Sequence, residues 1–146
     1  MMLCYFDTSA IVPLLIQEPS SAACRRLWDD ADDVATSRLL HVEAAAALAQ
    51  AVRTGRITAD REAVALRELD RFWRDFLIIE PTALVIGRAA ALTSAHCLRA
   101  YDAVHCAAAE QVNDDDLVFA SGDRQQLKAG RSLGFSVADI NTPEDL

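Results

Sequence analysis

Proline and glycine are scarce in this chain, four and five of 146 residues, which excludes collagen-like and low-complexity classes. No charge-free apolar run is long enough to cross a membrane. No basic leader runs into an apolar stretch with a cleavage site, so no secretory signal is expected. None of the four cysteines (Cys4, Cys24, Cys97, Cys106) forms a C-x-x-C pair. They read as reduced, mostly buried thiols of a cytoplasmic protein. An excess of positive charge is also missing. The net charge of −8 argues against a generic nucleic-acid binder, which is normally basic. Lysine is nearly absent, and 13 of the 14 cations are arginine, the side chain best shaped for phosphate. Repeats, linkers and low-complexity tracts are lacking, so residues 1–146 read as a single domain.

What is present is an apolar half, 52% of the residues, arranged in alternating strand-like and helix-like stretches. Leu3–Phe6 reads as a buried strand. Ser9–Gln17, which carries Pro13, and Ser20–Trp28 read as helices, with Ser20 and Ser21 as candidate caps. Val34–Ser37 is a short strand, and the Ala-rich Leu39–Arg53 is a helix stopped at Gly55. Thr58 opens a long helix running to about Asp75, with Val64, Leu66, Leu69, Phe72 and Trp73 at helical spacing. Leu77–Ile79 is a strand ended by Pro81. Ala83–Ala95 and Tyr101–Gln111 are helices. Asp116–Ala120 is a strand followed by a short helix, and Phe135–Val137 is a last strand. Strands separated by helices of this length pair in parallel. The expected fold is therefore a three-layer α/β sandwich with a central, mostly parallel sheet.

The first strand stops abruptly at Asp7-Thr8-Ser9, and the carboxyl ends of strands are where open α/β sheets bind ligands. Asp7 alone reads most simply as a helix cap. Glu43 shares the apolar stripe of its helix with Leu40 and Ala47, a costly place for a carboxylate unless it is paired or metal-bound. Arg38 and Arg99 are its candidate partners. Asp102 stands in the first turn of a helix that is apolar or small on nearly every side, where it complements the helix dipole. Asp123 follows the strand Leu117–Ala120 in Ser-Gly-Asp, again as a cap. Each acid has an ordinary explanation. Four on one edge would repel strongly without a cation. Carboxylate oxygens suit Mg²⁺ or Mn²⁺, and a cluster without His or Cys in metal spacing points to phosphoryl transfer.

These residues carry a resemblance. "CYFDTSA", Glu43 in an Ala-rich helix, "LRAYDAVHCAAA" and "LVFASGDRQQL" resemble the PIN-domain family over essentially the whole chain, and more narrowly its VapC-type ribonuclease toxins. The resemblance implies a Mg²⁺- or Mn²⁺-dependent endoribonuclease, a VapB-type antitoxin as partner, and a homodimer. By motif position Asp7, Glu43, Asp102 and Asp123 match the acidic catalytic and metal-binding quartet, with Ser9 and Ser121 as supporting hydroxyls. Many relatives carry T-x-D where this chain has Ser121-Gly122-Asp123. Asp116 is the nearest alternative acid, but it lies at the wrong end of its strand.

Arg124, Lys128 and Arg131 follow the last acid as candidate RNA-phosphate contacts, or as an ordinary solvated face. His105, one turn beyond Asp102, reads first as a packed core residue and second as an acid–base or supporting group. His96-Cys97 and His105-Cys106 match no zinc spacing. Phe72, Trp73 and Phe76 read as core, with any exposed part suited to a dimer or antitoxin contact. Two other function classes fit the same pattern. One is a different acidic-site phosphoesterase or DNA nuclease. The other is a non-catalytic binding module.

Overall fold

The computed structural model describes residues 1–142. The last four positions of the expected domain lie outside the described residues. Among the described residues five strands are interspersed with seven helices: β1 (Leu3–Phe6), α1 (Thr8–Leu15), α2 (Ser21–Asp30), β2 (Asp33–Ser37), α3 (Leu39–Arg53), α4 (Ala59–Trp73), β3 (Phe76–Ile79), α5 (Ala83–His96), α6 (Ala100–Val112), β4 (Val118–Ser121), α7 (Arg124–Ser132) and β5 (Ser136–Asp139). The sheet runs β3-β2-β1-β4-β5, and every pairing is parallel. The three-layer α/β reading therefore holds.

The layers follow from the two-residue period of a strand. Cys4 and Phe6 of β1 face a core built with Ile11, Leu15, Leu40, Leu48 and Leu69 from α1, α3 and α4. Tyr5, between them, faces the opposite core, with Val85 and Leu92 of α5, Ala103 and Ala107 of α6, and Phe119 of β4. Burying one Leu-sized side chain contributes about 2 kcal/mol, so the two cores hold both helix layers on the sheet. The alanines of α6 let it lie close: Ala103, Ala107, Ala108 and Ala109 are all buried. Among the described residues no helix is long and apolar enough to cross a membrane.

Local chemistry sets the element ends. Thr58 and Thr82 cap α4 and α5, accepting from the backbone N–H of Arg61 at 3.1 Å and Val85 at 3.3 Å. Helix α3 has the expected bounds. Ser20 precedes α2 without a side-chain cap bond. The Ser21 hydroxyl instead accepts from the N–H of Glu18 at 2.9 Å. The strand expected from Asp116 begins only at Val118. Asp116 is held in a turn, its N–H donating to Asp114 Oδ1 at 2.9 Å. The last strand starts at Ser136 and extends to Asp139.

The cysteines divide three to one. Cys4, Cys24 and Cys106 are buried, whereas Cys97 is exposed at the end of α5 in a left-handed conformation, φ 55°. Burial pushes the thiols of Cys4 and Cys106 up to about 12 and that of Cys24 up to about 11. Because the thiolate is the nucleophile, these three stay inert at ordinary pH. Iodoacetamide at pH 8 is expected to label one cysteine in the folded protein and four after denaturation. Intact mass and peptide mapping give the count, and rapid labelling of Cys4 or Cys106 would contradict the packing described.

Candidate active site

The chain runs from β1 outward through β2 to β3, then crosses to the other side of β1 for β4 and β5. The strand order reverses between β1 and β4, and such a switch point leaves a crevice beyond the carboxyl ends of the two strands. Asp7 follows β1 and Ser121-Gly122-Asp123 ends β4, so the fold sets these two motifs side by side.

Asp7 is only 4% exposed. It caps α1, as the simplest reading holds, with Oδ2 accepting from the Ser9 N–H at 3.2 Å. The same oxygen accepts the Ser9 hydroxyl at 2.6 Å and lies 3.2 Å from the Ser121 hydroxyl. Its Oδ1 accepts from Gln126 Nε2 at 3.2 Å. The Ser9 hydroxyl in turn accepts from the Gly122 N–H at 2.8 Å, which ties the end of β1 to the loop after β4. Asp123 is also a cap, accepting from the Gln126 N–H at 3.0 Å. Capping and membership of the acidic edge coexist in both residues.

The other two acids come from helices. Glu43 of α3 reaches the edge with 19% of its side chain exposed, and its Oε1 lies 2.8 Å from His105 Nε2. Its partner is therefore His105, not Arg38 or Arg99. Arg38 pairs instead with Glu80. Arg99 donates from Nε to Asp102 at 3.2 Å and from Nη2 to Asp123 at 3.4 Å, bridging two members of the quartet. Asp116 stays at the opposite end of β4, in the turn described above.

His105 is a packed core residue, fully buried, as its sequence position first suggested, and it also lies against the acids. Its Nδ1 lies 2.8 Å from the Tyr5 hydroxyl, and its Nε2 lies 3.3 Å from the Thr8 hydroxyl and 3.6 Å from Asp7 Oδ1. The electrostatics register this crowding. Burial raises the Asp102 carboxyl above its ordinary range, and the Asp7 charge raises it further, against the pull of Arg99. Burial disfavours charge on His105. The Glu43 bond and the charges of Asp7, Glu43 and Asp102 outweigh it, so the imidazole sits above its ordinary value. Burial and the Asp7 charge hold Tyr5 well up, as the neutral phenol.

Among the described residues no three His, Cys, Asp or Glu side chains are arranged to hold a metal ion as they stand. Arg99 pairs with Asp102 and Asp123, His105 pairs with Glu43, and Ser9 and Gln126 donate to Asp7. The donor set nevertheless fits a hard divalent cation: all-oxygen carboxylates, one of which, Asp102, is raised by burial and then by the charge of its acidic neighbours. Arg99, with 84% of its side chain exposed, makes its pairs with Asp102 and Asp123 from the solvent side.

Of the candidate phosphate contacts, Arg124, Lys128 and Arg131 are all exposed on α7, beside the Asp123 cap. Sequence reasoning missed Gln126. It is fully buried, accepts the Ser121 hydroxyl at 2.9 Å, and donates to Asp7 and, at 3.4 Å, to the Asp102 carbonyl. The only signal was Asp123-x-x-Gln126, a capping-box spacing that predicts a bond back to the cap and not across the sheet.

A parallel five-stranded sheet with acids converging at its switch point defines the class. The PIN domain model matches residues 4–131, and the chain belongs to the PIN-domain family. It is 42% identical over 138 residues to ribonuclease VapC45 of Mycobacterium tuberculosis (strain CDC 1551 / Oshkosh), covering 94% of this chain and 96% of that one. It is 36% identical over 140 residues to ribonuclease VapC47 of the same strain, covering 92% and 94%. Among solved structures it is similar to PAE2754 from Pyrobaculum aerophilum, with a TM-score of 0.67, 25% identity, and coverage of 93% of this chain and 82% of that one.

Proposed function

We propose that this protein is a divalent-metal-dependent endoribonuclease, the toxin of a VapBC-type toxin–antitoxin pair. One observation carries the reading: Asp7, Glu43, Asp102 and Asp123 stand on one sheet edge in a chain whose relatives are named ribonucleases. Asp7 and Asp102 would be the principal residues holding a Mg²⁺ or Mn²⁺ ion, with Glu43 and Asp123 supporting them directly or through water. A bound ion of this kind supplies an activated water nucleophile and neutralises developing charge on the phosphate.

The chain's own residues do the rest. Ser9, Ser121 and Gln126 hold both oxygens of Asp7 at fixed angles, so the carboxylate needs no reorganisation. Arg99, once released from Asp102 and Asp123, meets the phosphate that enters. Arg124, Lys128 and Arg131 follow the RNA backbone along α7, as arginine-rich faces do. A VapB-type antitoxin and a second copy of the chain are the proposed protein partners, and the cytoplasm is the proposed location. The exposed Leu84 and Ile86 of α5 suit such a contact.

The test is cleavage of a labelled total-RNA pool by the purified protein with Mg²⁺ or Mn²⁺ and with EDTA, beside DNA and small phosphoesters. Discrete RNA fragments that need metal are expected. Preferential hydrolysis of DNA or of a small phosphoester would replace the ribonuclease reading with another acidic-site phosphoesterase.

A further inference from the structure

We infer that His105 is a positioning residue for the acidic site: it aims the Glu43 carboxylate and is itself held by Tyr5. The inference rests on the ribonuclease reading above. Its ground is the uneven way the four acids are held. Asp7 has donors on both oxygens, and Asp102 and Asp123 share Arg99. Among the described residues Glu43 has one hydrogen-bond partner, His105. A Glu side chain has three rotatable bonds, so without that partner its carboxylate is free to turn away from the site.

His105 is built to supply direction. Residues 103 to 109 of α6 are all buried, and His105 is the one ionisable imidazole among alanines, a valine and a cysteine. An apolar side chain would fill that place without the cost of burying polar nitrogens. Both nitrogens are nevertheless satisfied. Nε2–H donates to Glu43, and in the neutral ring Nδ1 accepts the Tyr5 hydroxyl at 2.8 Å.

Tyr5 is packed on every side in its turn. It lies on the central strand, fully buried, with its ring stacked on Phe119 at 5.3 Å and edge-on to His105 at 5.8 Å. The line from Tyr5 through His105 to Glu43 therefore starts on the buried central strand of the sheet and ends at a carboxylate from a helix on its other face. This is the outer support that metal-binding carboxylates require to keep their geometry.

The test compares the full-length wild type with His105→Leu, His105→Gln and Tyr5→Phe. Mn²⁺ affinity is read by calorimetry, RNA turnover at saturating Mn²⁺, and folding by melting temperature in EDTA. His105→Leu keeps the volume and loses the donor; Mn²⁺ is expected to bind roughly 10–100-fold more weakly. His105→Gln keeps an N–H where Nε2 stands and should recover most of that affinity. Tyr5→Phe removes only the tether and should fall between wild type and His105→Leu. At saturating Mn²⁺ the loss should appear in kcat, with KM for RNA held.

A folded His105→Leu with wild-type affinity overturns the inference. So does His105→Gln as weak as His105→Leu, because packing alone would then explain both. Should His105→Leu fail to fold, Tyr5→Phe decides, and wild-type affinity there overturns it. Wild-type protein that binds no Mn²⁺ sinks the ribonuclease reading itself, an outcome separate from any comparison between variants.

Discussion

Replacing Asp7 with Asn is expected to abolish RNA cleavage and leave the fold intact. The side chain keeps its shape and one carbonyl acceptor, so the cap on α1 from the Ser9 N–H survives. The new amide must find acceptors among Ser9, Ser121 and Gln126. Hydroxyls rotate to accept, and the Gln126 amide can turn over. Against any imperfect bond stands a gain, because one charge leaves a crevice in which Asp7 raises the Asp102 carboxyl. The two effects oppose each other, and the net change in stability should stay within about 1 kcal/mol. Activity has no such compensation. An amide is a poor substitute for a charged ligand of a hard cation. A loss of at least about a hundredfold, or about 2.7 kcal/mol of transition-state stabilisation, is expected. Circular dichroism and initial cleavage rates measured on one preparation settle it, and a folded, fully active Asp7→Asn protein would sink the assignment.

Adding Mn²⁺ to metal-free protein should raise its melting temperature, and EDTA should return it. The crevice holds four carboxylates against one exposed arginine and a buried histidine. A divalent ion that binds only the folded chain stabilises it by mass action, about 2.7 kcal/mol when the ion is at a hundred times its dissociation constant. For a domain of this size that corresponds to a rise of roughly 5–10 °C. Sodium chloride at matched ionic strength separates site binding from general screening of a chain with net charge −8. Asp7→Asn should lose most of the rise, which ties the effect to this edge. A wild-type melting temperature indifferent to millimolar Mn²⁺ would favour the non-catalytic binding module, whose acids serve only as caps and ion pairs.

Local chemistry made much of this molecule legible in advance. Helix α3 has the bounds its alanines and Gly55 dictate, because propensity and a stop residue act within a few positions of one another. Asp7 and Asp123 stand at the carboxyl ends of strands because an apolar run in a parallel sheet has to stop there. Local rules erred where a short polar side chain competed with the ladder, as Asp114 does in delaying β4 to Val118. The thiols are mostly buried, as their residue type favours, and Cys97, at a left-handed helix end, is the one that meets solvent.

Partners across the sheet belong to a different level. The sequence by itself determined the alternation of elements, the four acids and their order, since each depends on neighbours a few residues away. Only the tertiary structure decided that Glu43 meets His105 across 62 residues and that Gln126 reaches Asp7 across 119. It likewise gave Arg99 to Asp102 and Asp123 in place of Glu43. A side chain has several neighbours it would satisfy equally well, and the packing of α6 and α7 on the switch point selects one of them.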